Sequence, residues 1–177
     1  MLINSEINPL SYKDEFLYNG SVVIRNFLTE NYVEKLNNFF LEGMPDNWWY
    51  SVSYPGTQGH VRYIRNFDEN KSEIEFEKKY SDKLFNQGGY AYHFYRSAGD
   101  HYEHCTCEEC NFRNWLKSDE IIGFLSELSG LEIKNFSTMF ASRYSEGCFL
   151  SPHHDDTLGS IGSVSYTHLT LPTKRIV

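Results

Sequence analysis

A motif that could bind a metal ion lies near the C-terminal end of the 177-residue chain, at Pro152-His153-His154-Asp155-Asp156. Residues two apart on a strand point to the same side, so His153 and Asp155 can offer a nitrogen and an oxygen to one ion. They would supply two ligands of a 2-His-1-carboxylate site, which binds Fe(II) and leaves coordination positions open. Alternation alone leaves two other interpretations open, namely the pair His154 and Asp156, or a polar turn with solvated side chains.

A second cluster combines histidines and cysteines in a predicted polar loop, at His101, His104, Cys105, Cys107 and Cys110. The two-residue gap between Cys107 and Cys110 is typical of zinc ligand pairs. Cys105 and one histidine would complete a four-ligand site that holds the loop together. We name His104 as the candidate fourth ligand, with His101 as the alternative. The other interpretation of this cluster is a set of reduced surface thiols beside solvated histidines.

The residues around His153 also form part of a longer pattern. Tyr144 and Gly147 precede it in the order Tyr-x-x-Gly, four residues, Pro-His-x-Asp, after an alternating strand pattern. Together with the early segment Val22–Leu28 and the helix predicted after it, this pattern resembles the prolyl-4-hydroxylase-like 2-oxoglutarate/Fe(II) dioxygenases. The resemblance spans roughly residues 20–162 and is strongest over 136–162.

This resemblance implies a double-stranded β-helix, or jelly roll, with supporting helices. It implies an oxidoreductase that couples decarboxylation of 2-oxoglutarate to hydroxylation of a C–H bond, with Fe(II), O₂ and ascorbate. His153 and Asp155 would be the catalytic iron ligands, and Tyr144 would contact the 2-oxoglutarate. The substrate is left open between a peptidyl proline, another side chain and a small molecule.

Two parts of the family's site are not identifiable in this sequence. The family places a second histidine ligand and a basic anchor for 2-oxoglutarate well beyond the His-x-Asp motif, whereas His168 follows too closely. Residues 163–177 moreover resemble translated sequencing adapter, although Val164–Thr170 could instead be a genuine strand. We therefore expect a partial dioxygenase domain over 1–162 and a non-native tail over 163–177. We expect activity in an intact parent protein, and not in this chain.

A function of a different class is a non-catalytic binding module organised by zinc at Cys105, Cys107 and Cys110. Both functions can hold together, because the two clusters share no residue. A third alternative is a jelly roll that has lost its iron.

The composition limits the class of protein. A chain of this length forms one ordinary domain, and 40% hydrophobic with 23% charged residues is near the globular average. The net charge of −8 argues against nucleic acid or an anionic membrane as partner. No apolar run approaches the length of a membrane span, and the first ten residues lack the features of a signal peptide. We expect a cytoplasmic protein with reduced cysteines.

The hydrophobic periodicity predicts both helices and strands. Helical spacing predicts helices over 30–42, 72–85 and 118–128. A capping box at Ser72 and Glu75 would begin the second helix, and Gly130 would end the third. Alternating, β-branched or aromatic runs predict strands over 21–28, 48–54, 61–67, 90–96, 135–144 and 148–150. We predict that 61–67 pairs with 48–54 and that a turn at Glu146-Gly147 precedes 148–150. We predict an α+β fold in which N-terminal helices support an incomplete jelly roll.

Overall fold

The computed structural model describes residues 2–97, 101, 104–134 and 139–153. Within these residues the chain is a mixture of helices and antiparallel strands, which confirms the α+β class. The helices are α1 (Leu10–Asn19), α2 (Glu30–Asn38), α3 (Lys71–Asn86), α4 (Glu108–Leu116) and α5 (Asp119–Ser129). Within the described part, no helix is both long enough and apolar enough to cross a membrane. The jelly roll stays a prediction, because the described strands form a single sheet.

The described residues 2–43 and 106–134 belong to a compact helical unit that contains α1, α2, α4 and α5. Its core is a cluster of four buried side chains, Ile3, Ile121, Phe124 and Leu128. The ring of Phe27 packs edge-on against Phe124 with centroids 5.0 Å apart. Helix α5 ends where the sequence predicts, because Gly130 adopts the left-handed conformation and donates its N–H to the carbonyl of Ser126.

The strand predicted over 21–28 is wrong for most of its length. Only Leu28 makes a β-bridge, with Ile3. Val22 and Ile24 pack against the helical core cluster instead. A β-branched run forms a strand only where a partner strand is at hand, and here helices take up its apolar side chains.

The described residues 44–97, 101, 104–105 and 139–153 belong to a second compact unit, built on the sheet and α3. The strands are β1 (Trp49–Tyr54), β2 (Arg62–Ile64), β3 (Tyr92–Ser97), β4 (Ser142–Arg143) and β5 (Phe149–Leu150). Their order is β2-β1-β3-β4, with β5 also paired to β3, and every pairing is antiparallel. The predicted pairing of the 48–54 and 61–67 segments is confirmed.

Strands β4 and β5 pair with the same edge of β3 and act as one interrupted strand. Arg143 lies opposite Tyr95, and Phe149 lies opposite His93. Only Phe94 of β3 lies between these two pairs, whereas five residues, 144–148, separate β4 from β5. These five residues therefore leave the sheet in a turn. Gly147 supports that turn with a φ of 78°, and the turn predicted at this position is confirmed.

The two faces of the sheet differ in chemistry, because residues directly opposite each other on paired strands share a face. One face carries Trp49, Ser51, Ser53, His93, Tyr95 and Ser97. Helix α3 covers this face, and Phe85 contacts Phe149 there with ring centroids 5.0 Å apart. The other face, called the aromatic face below, carries Tyr50, Val52, Tyr54, Tyr92, Phe94 and Arg96.

Helix α3 begins without the predicted capping box. The helix starts at Lys71, so Ser72 lies inside it, and Asn70 occupies the N-cap position. The Asn70 side chain donates to the carbonyl of Arg65 at 2.7 Å and thereby closes the preceding turn. A capping box needs its serine just outside the helix, where that side chain can reach the first free N–H groups.

Candidate metal centre

Four ligand atoms come together within the ten-residue segment 101–110. They are one imidazole nitrogen and three sulfurs, from His101, Cys105, Cys107 and Cys110, and all lie within 4.8 Å of one another. The Sγ of Cys105 is 3.7 Å from Nδ1 of His101. A tetrahedral zinc ion with bonds of about 2.0–2.3 Å separates its ligand atoms by roughly 3.5–3.8 Å. The cluster therefore needs only small side-chain adjustments to surround one ion.

The start of helix α4 places two of the sulfurs. Cys107 stands at the N-cap with extended backbone, φ −66° and ψ 165°, and Cys110 lies in the first turn. Residues three apart across a helix start lie on one side, so the two-residue gap directs both thiols to the same point. The positive end of the helix dipole also stabilises thiolates there. Asn111 reinforces this helix start by donating to the carbonyls of Cys107 and Thr106, each at 2.9 Å.

The histidine of the group is His101 and not His104, the ligand named first from the sequence. The imidazole ring of His101 stacks on the indole of Trp48, with centroids 3.9 Å apart and planes 20° apart. His104 has a left-handed backbone, with a φ of 61°. The sequence carries no signal that favours one histidine, since both stand within a few residues of Cys105.

Charged side chains at the start of α4 are paired. Lys35 of α2 lies 2.9 Å from Glu108, and Arg113 lies 3.2 Å from the buried carboxylate of Glu109. Acidic residues in a first helical turn interact favourably with the helix dipole, but they also repel neighbouring thiolates. The two cations offset that repulsion, so the segment can carry the negative charge of metal-binding sulfurs.

The two described residues of the predicted iron site lie at the ends of one row of aromatic rings. Tyr144 stacks on Phe94 with centroids 5.4 Å apart, and Phe94 contacts Tyr92 at 5.5 Å. Tyr90 continues the row at 5.9 Å from Tyr92 and reaches the imidazole of His153 at 6.2 Å. Because Tyr92 and Phe94 belong to the aromatic face, Tyr144 and His153 both border that face.

His153 follows β5 and is positioned by the backbone. Its Nδ1 lies 2.9 Å from the carbonyl oxygen of Ser151, which can only accept, so Nδ1 carries the proton. Nε2 of the neutral ring then holds the lone pair that a metal ion needs. Asp155, the second predicted iron ligand, lies outside the described residues. So do the alternative pair at 154 and 156 and the whole predicted tail at 163–177.

Comparisons with known proteins find no match, whether among protein-family models, curated proteins or solved structures.

Sequence reasoning missed a buried pair of polar residues beneath α3. Oγ of Ser53 and Nδ1 of His93 are 2.8 Å apart, and both side chains are buried. Burial lowers the pKa of His93 to about 4, and the charge of Lys78 acts in the same direction. Alternation along β3 could have revealed the inward position of His93, but it could not have named Ser53 as the partner. Because solvent does not reach the pair, its role is structural.

A tyrosine of the aromatic row also has a shifted acidity. Burial raises the pKa of Tyr92 to about 12, and the neighbouring Tyr63, Tyr90 and Tyr54 add to this effect. Its phenol therefore stays protonated at neutral pH and can donate a hydrogen bond on the aromatic face.

Proposed function

We propose that segment 101–110 binds one structural zinc ion through His101, Cys105, Cys107 and Cys110. The observation that carries this proposal is the gathering of three sulfurs and one imidazole nitrogen within 4.8 Å. Three thiolates and one imidazole make a closed four-ligand set, typical of zinc that stabilises a fold. Soft thiolate ligands disfavour magnesium and calcium, which prefer oxygen.

The proposed site is non-catalytic, because four protein ligands leave no tetrahedral position for water or substrate. Its contribution is to the stability of the segment that joins β3 to α4. Metal binding and local folding are then one process, since the ligands must be deprotonated and brought together at the same time.

The fourth cysteine supplies a matched control for the test. Cys148 is half-buried like Cys107, but it lies in the 144–148 turn and outside the group. The protein is purified with zinc, dialysed against metal-free buffer and analysed for bound metal. We expect about one zinc per chain in the wild type and in Cys148→Ser, and a loss of zinc in Cys107→Ser. Wild-type protein without zinc, or equal loss in both variants, would contradict the proposal.

A second candidate function, oxygenation with Fe(II) and 2-oxoglutarate, is favoured by a separate observation. Tyr144 and His153, assigned to co-substrate and iron by resemblance alone, border the same aromatic face. We infer that the described sheet is one of the two sheets of a jelly roll and that the aromatic face is its interior. The fixed tautomer of His153 supports this, because second-sphere hydrogen bonds of this kind orient metal-binding histidines.

In this function His153 and Asp155 would hold the iron, and Tyr144 would hydrogen-bond a carboxylate of 2-oxoglutarate. The iron, when bound, supplies the activation of O₂, with ascorbate to keep it reduced. The carbonyl of Ser151 holds the proton of the neutral ring on Nδ1, so that Nε2 of His153 is the nitrogen that would bind the iron. A second histidine ligand and a basic anchor would come from an intact parent protein.

The test of this second function is succinate formation from 2-oxoglutarate with Fe(II), ascorbate and O₂. We expect turnover by the parent protein and none by the 177-residue chain. His153→Ala in the parent should abolish turnover, whereas Cys107→Ser should retain it once the protein is folded. Succinate formation by the parent that survives His153→Ala would rule out this site as the iron centre.

A further inference from the structure

We propose that Trp48 is a positioning residue for the metal ligand His101. The inference rests on the proposed zinc site and adds a residue that does not touch the metal. Its basis is the stacked pair of rings, with centroids 3.9 Å apart and planes 20° apart. This is the shortest centroid separation among the ring pairs of the described residues.

Trp48 is well placed to fix another ring. It ends a short 3₁₀ turn, Asp46–Trp48, and donates its backbone N–H to the carbonyl of Pro45 at 3.0 Å. The next residue, Trp49, begins β1 and is buried, with Ser97 of β3 opposite it. Pairing with β3 from Trp49 onward restrains the backbone at this end of β1. The backbone from which the indole of Trp48 projects is thus held by the sheet.

Stacking suits a ligand histidine because it uses only the face of the ring. Both imidazole nitrogens lie in the ring plane and remain able to bind a proton or a metal at the edge. Nδ1 of His101 already lies 3.7 Å from Sγ of Cys105. The stacked indole therefore holds the plane in which this nitrogen faces the sulfur of Cys105. Holding a side chain in its binding orientation beforehand lowers the entropic cost of capturing the ion.

A comparison with the neighbouring Trp49 supports a specific role for Trp48. Trp49 is buried on the sheet face that α3 covers, so its role is packing. Trp48 is only half-buried, and the sheet alone does not require a large aromatic residue at its position. The contact with His101 gives that residue type a physical reason.

The experiment measures zinc affinity by competition with a chromogenic chelator. It compares Trp48→Leu and Trp48→Phe with the wild type, each with His101 intact and again with His101→Cys. Tyr63→Leu is the matched aromatic control, because Tyr63 is half-exposed on β2 and its ring contact is with Tyr50. We expect Trp48→Leu to weaken zinc binding by about tenfold, as the loss of an outer-sphere partner typically does. Trp48→Phe should restore most of that loss, and Tyr63→Leu should change nothing.

The His101→Cys background separates positioning from general support of the fold. With four sulfur ligands there is no imidazole to orient, so Trp48→Leu should have no further effect on affinity. An equal loss in both backgrounds, or no loss with His101 intact, would overturn the inference. Cobalt(II) gives a second measurement if His101→Cys fails to fold. The visible spectrum of the Co(II)-loaded Trp48→Leu protein should differ from that of the wild type, and an identical spectrum would overturn the inference.

The proposed function and this inference fail in different ways. If the wild type binds neither zinc nor cobalt, both the proposed zinc site and the role of Trp48 are ruled out. If the wild type and Trp48→Leu bind zinc equally tightly, the zinc site stands and only the role of Trp48 is ruled out.

Discussion

Ser53 and His93 form a hydrogen-bonded pair across β1 and β3, with Oγ and Nδ1 2.8 Å apart and both side chains buried. Among the described residues, Nε2 of the same imidazole is buried without a hydrogen-bond partner. A second proton on this ring would therefore be both desolvated and unpaired, which is the physical reason why the neutral ring is preferred in the folded protein.

This pair makes the stability of the protein sensitive to acid. Burial lowers the pKa of His93 from 6.5 to about 4, the charge of Lys78 adds to the lowering, and Glu75 opposes it. Because the unfolded chain binds the proton more readily, the stabilisation is complete above about pH 6.5 and is lost as the pH falls towards 4. The full effect is on the order of 3 kcal/mol. Urea unfolding between pH 7.5 and pH 4.5, with a chelator present throughout, measures most of this effect.

The control for this prediction is His93→Gln, which keeps a polar group but does not titrate. We expect the variant to be less stable at neutral pH and to lose less stability on acidification. An acid dependence as steep as that of the wild type would show that other groups are responsible.

Removal of metal should lower the melting temperature of the wild type. Excess chelator takes away the free energy of zinc binding, and we expect a decrease of roughly 5–15 °C for a chain of this size. Cys148→Ser should show the same decrease, whereas Cys107→Ser should start at the lower temperature and not respond. Calorimetry with and without chelator measures both effects, and a wild type indifferent to chelator would contradict them.

Ser151→Ala should destabilise the edge of the sheet that carries His153. The Ser151 hydroxyl donates to the carbonyl of Ala91 at 2.6 Å and accepts from the Ala91 N–H at 2.9 Å. Alanine leaves that buried N–H without its acceptor, at a cost of about 1–3 kcal/mol. Ser145→Ala, in the exposed turn between β4 and β5, is the matched control and should be nearly neutral. Urea unfolding at neutral pH compares the two, and equal effects would argue against the buried pair.

Tyr144→Phe tests the assignment of this tyrosine to 2-oxoglutarate. Phenylalanine keeps the ring that stacks on Phe94 and removes only the hydroxyl. Loss of one hydrogen bond to a charged carboxylate costs about 1.5–3 kcal/mol, so KM for 2-oxoglutarate in the parent protein should rise by roughly ten- to a hundredfold. Tyr63→Phe, on the neighbouring strand β2, serves as control. An unchanged KM in Tyr144→Phe would leave the residue with a packing role alone.

Several features of the protein were determined by short stretches of sequence. The α+β class, the end of α5 at Gly130, the pairing of β1 with β2 and the turn at Gly147 are all predicted from local patterns, and the structure has them. The grouping of Cys107 with Cys110 belongs here too, because a two-residue gap brings two side chains together whatever surrounds them.

Helix α4 marks the boundary of what local patterns reveal. We predicted a polar loop there, yet the helix begins at Glu108. One signal of a helix start was present, since two glutamates occupy the first turn. The apolar residues Phe112, Trp115 and Leu116 also follow helical spacing. Because the polar, cysteine-bearing segment was interpreted as a loop, the helix was not predicted.

The tertiary structure alone decided which partners meet. Residues 21–28 have the composition of a strand and pack on helices instead, because strand formation depends on a partner. His101 joins the cysteines and not His104, and its ring rests on a tryptophan from a distant part of the chain. Tyr144 and His153 border the aromatic face because the turn 144–148 interrupts the strand formed by β4 and β5. Periodicity encodes contacts within a few residues, whereas these contacts depend on strand register and helix packing, which the whole fold determines at once.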